Sequence, residues 1–318
     1  MQFIDKTFKL KLKLFLVGLL FALSVVACQN NPVRQSSNPQ LADCRTVRHV
    51  MGEVCVPQTP QRLVSLDDVT LADALTVCVS SIGVSLYDNH LANYLKEKID
   101  SVELLGTSEQ PNLEKIVRLN PDLIMGIEYN AESIYPQLSQ IAPTAVGKWS
   151  GYPDWREYFN FMAHVLGKEA EAKVVWENYD RRIDELKAAL GDRLKNTEIS
   201  LAYACCGGIS VDTENSFSGS ILADLGIHRP KSQAAVDDGM FILSEERIFN
   251  LDADILFLSV YDEESEQVLA NWEQKPLWNQ LKVVQEKQVY LVNYNIWRGG
   301  NPIAANLVLD KLYKHIVR

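Results

Sequence analysis

Short strand-like and helix-like segments alternate twice along this chain, once before and once after a long amphipathic helix, and that arrangement leaves few folds open. From Arg62, RLVSL reads as a strand, Asp68 to Cys78 as a helix, SIGVSL as a strand, HLANYLKEKI as a helix and VELLG as a strand. NLEKIVRL (helix), DLIMGI (strand), SIYPQLSQI (helix) and TAVG (strand) complete the first run. The strands are short apolar runs, the pattern of strands buried on both faces, so a parallel sheet with helices on both sides is expected. The alternation restarts at EISLAYA, with ISVDT as its hairpin partner. It continues through the helices around SGSILADLG and SEERIFNL, the strands DILFLSV and QVYLV, and a last helix from Pro302. The class is α/β, in two lobes.

Between the lobes lies the longest helical pattern, Asp154 to Gly191. Past a break at Gly167, Ala172, Val175, Tyr179, Ile183, Leu186 and Leu190 recur at three-and-four spacing, while Lys173, Glu177, Arg181, Asp184 and Lys187 take the opposite face. A helix from Lys168 to Leu190 is roughly 35 Å long at about 1.5 Å per residue, enough to join two domains. The expected division is a leader over 1–27, a tether over 28–43, a first lobe over 44–153, a connecting helical segment over 154–191 and a second lobe over 192–318.

The leader carries Lys6, Lys9, Lys11 and Lys13 ahead of the uncharged run Leu14 to Val26. That run is too short for a stop-transfer helix and reads as a secretory signal. Val25-Val26-Ala27-Cys28 resembles a bacterial lipoprotein cleavage box, which makes Cys28 the expected lipidated residue. The polar Pro/Ser-rich segment after it is a flexible tether. The leader's four lysines and Asp5 supply +3 of the net charge of −10, so the remainder is near −13. A field of that sign repels nucleic acid, and no basic stripe with interleaved aromatics offsets it.

Export favours oxidised cysteines. Cys44 and Cys55 bracket CRTVRHVMGEVC, a hairpin pattern turning at Met51-Gly52, and a Cys44–Cys55 disulfide is expected across it. Cys78, in ADALTVCV, reads as a buried inert thiol. A Cys205–Cys206 bond needs a strained peptide, and the sequence leaves it open.

Ligands of open parallel sheets bind beyond the carboxyl ends of the strands. In the first lobe those loops hold Asp67-Asp68, Ser85 to Asp88, Gly106 to Glu109 (with Thr107), Glu128 to Asn130 (with Tyr129) and Lys148-Trp149, with Tyr152 close behind. In the second they hold Cys205 to Gly208, the Ser216 to Ser218 turn, Tyr261 and Tyr294 to Arg298. The five histidines are scattered, and neither CxxC nor HxxxH occurs, so no metal site is nominated.

PQRLVSL, LGTSEQPNLEKIVRLNPDLIMG, QLSQIAPTA, LGKEAEA, ILADLG, SEERIFNLDADILFL and NPIAANLVLDKL, in this order, resemble the solute-binding lipoproteins of iron-siderophore ABC transporters, the ferric-citrate, ferric-hydroxamate and vitamin-B12 group. The resemblance runs from about Cys44 to the end. It implies two Rossmann-like lobes joined by one long backbone helix, a ligand cleft between them, capture of a ferric siderophore as a monomer and delivery to an ABC permease. No cofactor is implied, and which siderophore is bound stays open. Trp297 and Arg298 are the leading ligand residues, since an arginine fork beside an aromatic plate suits an anionic chelate. Tyr129, Lys148, Trp149, Tyr152, Thr107 and Tyr261 stand behind them. The bland alternatives are a packed Trp297 and a solvated Arg298. In the family resembled, a glutamate on each lobe meets permease arginines; Asn112-Leu113-Glu114 and Ser244-Glu245-Glu246 match those motifs here. Direct ferric-ion, haem or cobalamin binding is the rival within the class. An enzyme is disfavoured because GxGxxG after the first strand and GxSxG are both missing.

Overall fold

The computed structural model describes residues 44–88, 90–96, 101–149, 151, 154–205, 207–234 and 239–317. The leader, Cys28, Tyr152 and Cys206 lie outside them. The chain divides into the units Met1–Cys44 and Arg45–Arg318. Of the first, only Cys44 is described; the fold below is that of the second.

A two-stranded ribbon of β1 (Cys44–His49) and β2 (Gly52–Pro57) opens the described chain. Cys44 and Cys55 are both disulfide-bonded, in keeping with the hairpin reading. Then follow β3 (Leu63–Ser65), β4 (Ser81–Leu86), β5 (Glu103–Thr107), β6 (Leu123–Ile127) and β7 (Thr144–Gly147). They form one parallel sheet in the order β5-β4-β3-β6-β7. The second sheet uses β8 (Ile199–Cys205), β9 (Gly208–Asp212), β10 (Met240–Leu243), β11 (Ile255–Val260) and β12 (Val289–Asn293), ordered β10-β9-β8-β11-β12. Strand for strand, the order repeats the first. The one difference of direction is β9, which pairs antiparallel with both β8 and β10 and makes this sheet mixed.

The connecting segment is two helices, Trp155–Leu166 and Glu169–Leu190, parted at Gly167. Its stripe divides its loyalty. Ala172, with Tyr158, Phe159, Met162 and Leu166, packs into the core around Leu63, Leu123 and Met125. Tyr179, Ile183, Leu186 and Leu190 pack into the core around Ile199, Leu201, Phe217 and Phe257. Full burial of such side chains contributes about 1.5–3 kcal/mol each, so both lobes hold the helix firmly. The closing helix Pro302–Leu312 is a second link, since it also packs on the Asp68–Thr76 helix of the first lobe. Side chains cap the helix starts: Asp67 accepts from Thr70 N, Asn112 from Lys115 N, Ser216 from Gly219 N and Asn301 from Ala304 N.

Four local readings change. Cys78 is exposed, because the helix stops at Thr76 and the cysteine sits in the turn beyond with φ 61°. In HLANYLKEKI only Asn93–Lys96 is a described helix. SEERIFNL forms a 3₁₀ helix, Glu245–Leu251, whose buried Ile248 and Leu251 are three apart, a spacing that suits three residues per turn. The helix Glu263–Glu273 has no counterpart in the sequence reading.

Candidate functional site

In each sheet the central pair of strands, β3 with β6 and β8 with β11, is where the chain reverses its direction of winding, the place where open α/β sheets leave a crevice at their carboxyl ends. Asp67 follows β3, Ile127 ends β6, Tyr203 to Cys205 end β8 and Tyr261 follows β11, and all of them line one cavity of about 630 Å³. A volume of this size suits a small-molecule ligand.

The first lobe supplies its wall from five loops. Asp67 is the most constrained residue there. It caps the Asp68–Thr76 helix through Thr70 N (2.7 Å to Oδ1) and ties it to the end of β6 through Ile127 N (3.0 Å to Oδ2). Burial nonetheless pushes its carboxyl up from the usual range. Burial, then the neighbouring Asp67 and Asp88 carboxylates, push Asp68 up to about 6. Asp88 holds His90, accepting from its backbone N at 2.9 Å and facing its ring at 3.8 Å. Tyr87, Ser108, Glu109, Tyr129 and Trp149 complete this side. Trp149 stands edge-on to Tyr158, ring centres 5.6 Å apart, and packs against the cores of both lobes.

The second lobe supplies an aromatic wall around one arginine. Tyr294 lies 5.9 Å from Tyr203 and 5.2 Å from Tyr261, ring centre to ring centre. The Arg298 guanidinium carbon sits 4.2 Å above the Tyr203 ring and 5.6 Å from that of Tyr294. That guanidinium forms an ion pair with Asp212, whose side chain is only 4% exposed. Behind the pair, Arg229 lies against Asp212 and Glu214, and burial holds it down to about 10, still charged at neutral pH. Burial also pushes the Tyr203 phenol up to about 12, so it stays a neutral hydroxyl.

Of the residues expected to meet a ligand, Tyr129, Trp149, Tyr261 and Arg298 line this cavity. Trp297 is in the core of the second lobe, 3% exposed, with its ring stacked on Phe257 at 4.6 Å. Neighbouring residues of a helical turn point about 100° apart, so on the Tyr294–Trp297 turn one of Trp297 and Arg298 faces inward and the other the cavity. Lys148 is exposed beside Trp149 and does not line the cavity. Thr107 is turned to its own loop, where Oγ1 accepts from Gln110 N at 3.2 Å, and Ser108 takes the lining position. Of the other lining residues, Asp68, Glu109 and Tyr294 lie in loops that the sequence places at the cleft, whereas Tyr203 and Glu264 were not singled out from it. For Tyr203 the available signal was its place at the carboxyl end of a central strand. Glu114 and Glu246 are both exposed, each in the first turn of its helix and outside the cavity.

A family model described as periplasmic binding protein matches residues 64–294. The probable siderophore-binding lipoprotein YfiY of Bacillus subtilis (strain 168) is 30% identical over 324 residues, covering 98% of this chain and 99% of that one. The Fe(3+)-citrate-binding protein YfmC of the same organism is 32% identical over 311 residues, with 93% and 95% covered. In fold, the chain is similar to Staphylococcus aureus SirA complexed with staphyloferrin B, with a TM-score of 0.75 at 24% identity over 85% of this chain and 98% of that one. With the matched stretch spanning the central strands of both sheets and most of the cavity wall, this chain belongs to the periplasmic binding protein family.

Proposed function

We propose that this protein captures a ferric siderophore in the cleft between its lobes, outside the cytoplasmic membrane, and delivers it to an ABC permease. The observation that carries the reading is the cavity itself: about 630 Å³, shared by the carboxyl ends of both sheets and walled by Tyr87, Tyr129, Trp149, Tyr203, Tyr261 and Tyr294. A ferric chelate is a bulky, partly apolar body, and aromatic side chains offer it large contact area at low entropic cost. Relatives named for siderophore, ferric-citrate and ferric-hydroxamate binding span most of this chain, and a further one is named a putative ABC transporter substrate-binding lipoprotein.

Within this reading Tyr129, Trp149, Tyr261 and Arg298 touch the chelate, joined by Tyr203 and Tyr294. The lobes are 44–153 and 192–318, with 154–191 between them. The protein acts as a monomer, without enzymatic activity, tethered through a lipid on Cys28. Glu114 and Glu246 meet the permease. Trp149 provides the test of capture: titration with ferric siderophores is expected to quench tryptophan fluorescence saturably, and ferric ion from a weak carrier is expected to leave it unchanged. A response to ferric ion with none to any chelate defeats the proposal and favours direct iron binding.

A further inference from the structure

The walls of the cleft carry an unequal charge. Among the described residues that line it, Asp67, Asp68, Asp88, Glu109, Asp262 and Glu264 are acidic and Arg298 is the one arginine or lysine. Arg298 is held against the wall, its guanidinium in an ion pair with the buried Asp212, which Arg229 also faces, and over the Tyr203 ring, so the acidic side chains of the cleft outnumber the positive charge set against them. Asp88 faces His90, and Asp67 and Asp262 accept helix-capping N–H bonds that hold them in place. Glu109 and Glu264 are exposed, come from opposite lobes, and have no hydrogen-bond or ion-pair partner among the described residues. An anionic ligand entering here meets like charge from both lobes, a repulsion that is strongest at low salt because part of that charge is exposed. A cation meets the opposite. The rings that complete the walls favour a cation as well, through the negative faces of their π-systems.

We infer that the cleft is selective for ferric chelates without net negative charge, and in particular for one carrying a protonated amine that settles between the carboxylates and the tyrosine rings. The inference rests on the chelate-capture reading and narrows it. It replaces the anionic chelate expected from the sequence, where Arg298 was read without its partner. It also separates this chain's ligand from ferric citrate, for which two relatives are named.

The test compares probes that differ in charge more than in shape. Ferrioxamine B, a ferric trihydroxamate with a pendant ammonium, is titrated beside its N-acetylated neutral form, anionic ferric dicitrate and an anionic ferric tris-catecholate, with tryptophan fluorescence as readout. The ammonium form is expected to bind about tenfold more tightly than its acetylated form, and both more tightly than the anions. The first gap should shrink as salt rises. Glu109→Gln with Glu264→Gln should narrow the preference for the ammonium form over dicitrate by about tenfold. Equal affinity of the ammonium and acetylated forms, or an anion binding as tightly as either, overturns the charge selectivity while leaving chelate capture standing. Binding of none of the probes and of no other ferric chelate overturns both.

Discussion

Asp68 shows how a single residue ties the cleft's charge to the stability of its lobe. It opens the Asp68–Thr76 helix, where a carboxylate is favoured by the helix dipole, yet burial and the nearby Asp67 and Asp88 raise it to about 6. A carboxyl raised above its unfolded value favours the folded state when protonated. Its contribution is therefore complete below about pH 4 and is lost as pH rises through about 6. Asp68→Asn removes that loss. The variant is expected to be more stable than the parent by about 1–2 kcal/mol at pH 7, and the difference should vanish near pH 4. Thermal unfolding of both proteins at the two pH values measures it, and an equal gain at both would show that Asp68 is not held in this state. The same substitution removes a carboxylate from the proposed cation site, so stability and affinity for an ammonium-bearing chelate should move in opposite directions.

At the scale of elements, the fold was largely legible because strands and helices of this class announce themselves by period. SIGVSL and TAVG occupy the spans read from sequence, and the stripe from Ala172 to Leu190 is the buried face of the connecting helix. What escaped was less periodic. The helix Glu263–Glu273 buries only Ser265, Val268, Leu269 and Trp272 among many acids. Met240–Leu243 is a four-residue edge strand whose apolar run MFIL carries no alternation to mark it, although Ile242 faces solvent and Leu243 is buried. The loops of the cleft were legible from the rule about carboxyl ends, whereas the pairing of Arg298 with Asp212 was not, since the two residues lie 86 positions apart in the chain.

One loop links the closing helix to the cleft. Gly300 has φ 62°, and a Cβ there would come within 2.9 Å of the Trp149 ring, whereas Gly226, with φ 73° at the end of Phe217–Leu225, has open space around it. Both positions lie in the left-handed region, so Gly226→Ala should cost about 1 kcal/mol and serves as the control. Gly300→Ala pays the same conformational term and must also displace Trp149. We expect a loss of about 2–3 kcal/mol together with a changed tryptophan emission that Gly226→Ala does not show. Equal losses and unchanged emission would mean that Trp149 is not held by this contact.

For the whole molecule, the repeated strand order gives the two proposed docking glutamates equivalent addresses. Glu114 starts the helix that leads to β6, and Glu246 the 3₁₀ helix that leads to β11. These two strands stand beside β3 and β8 at matching positions of their sheets. Both carboxylates are exposed and sit in a first helical turn, where the dipole favours the charge and leaves it free to form a charge-assisted pair with an arginine. Their neighbours sharpen the contrast between them. Glu245 is engaged by Lys275, which leaves Glu246 as the outward charge of its turn, while Lys115 and Arg118 follow Glu114 on its own helix and face Glu103. Exposed charges of this kind act mainly on encounter rate and register, and they weaken with salt. Glu114→Ala with Glu246→Ala should therefore leave the chelate titration unchanged and lower uptake of ferric chelate into cells. In reconstituted transporter the deficit should be largest at low ionic strength and fade as salt is raised. Normal transport by the double variant at low and high salt alike would remove both glutamates from the docking surface, and impaired chelate binding would show instead that their effect runs through the fold.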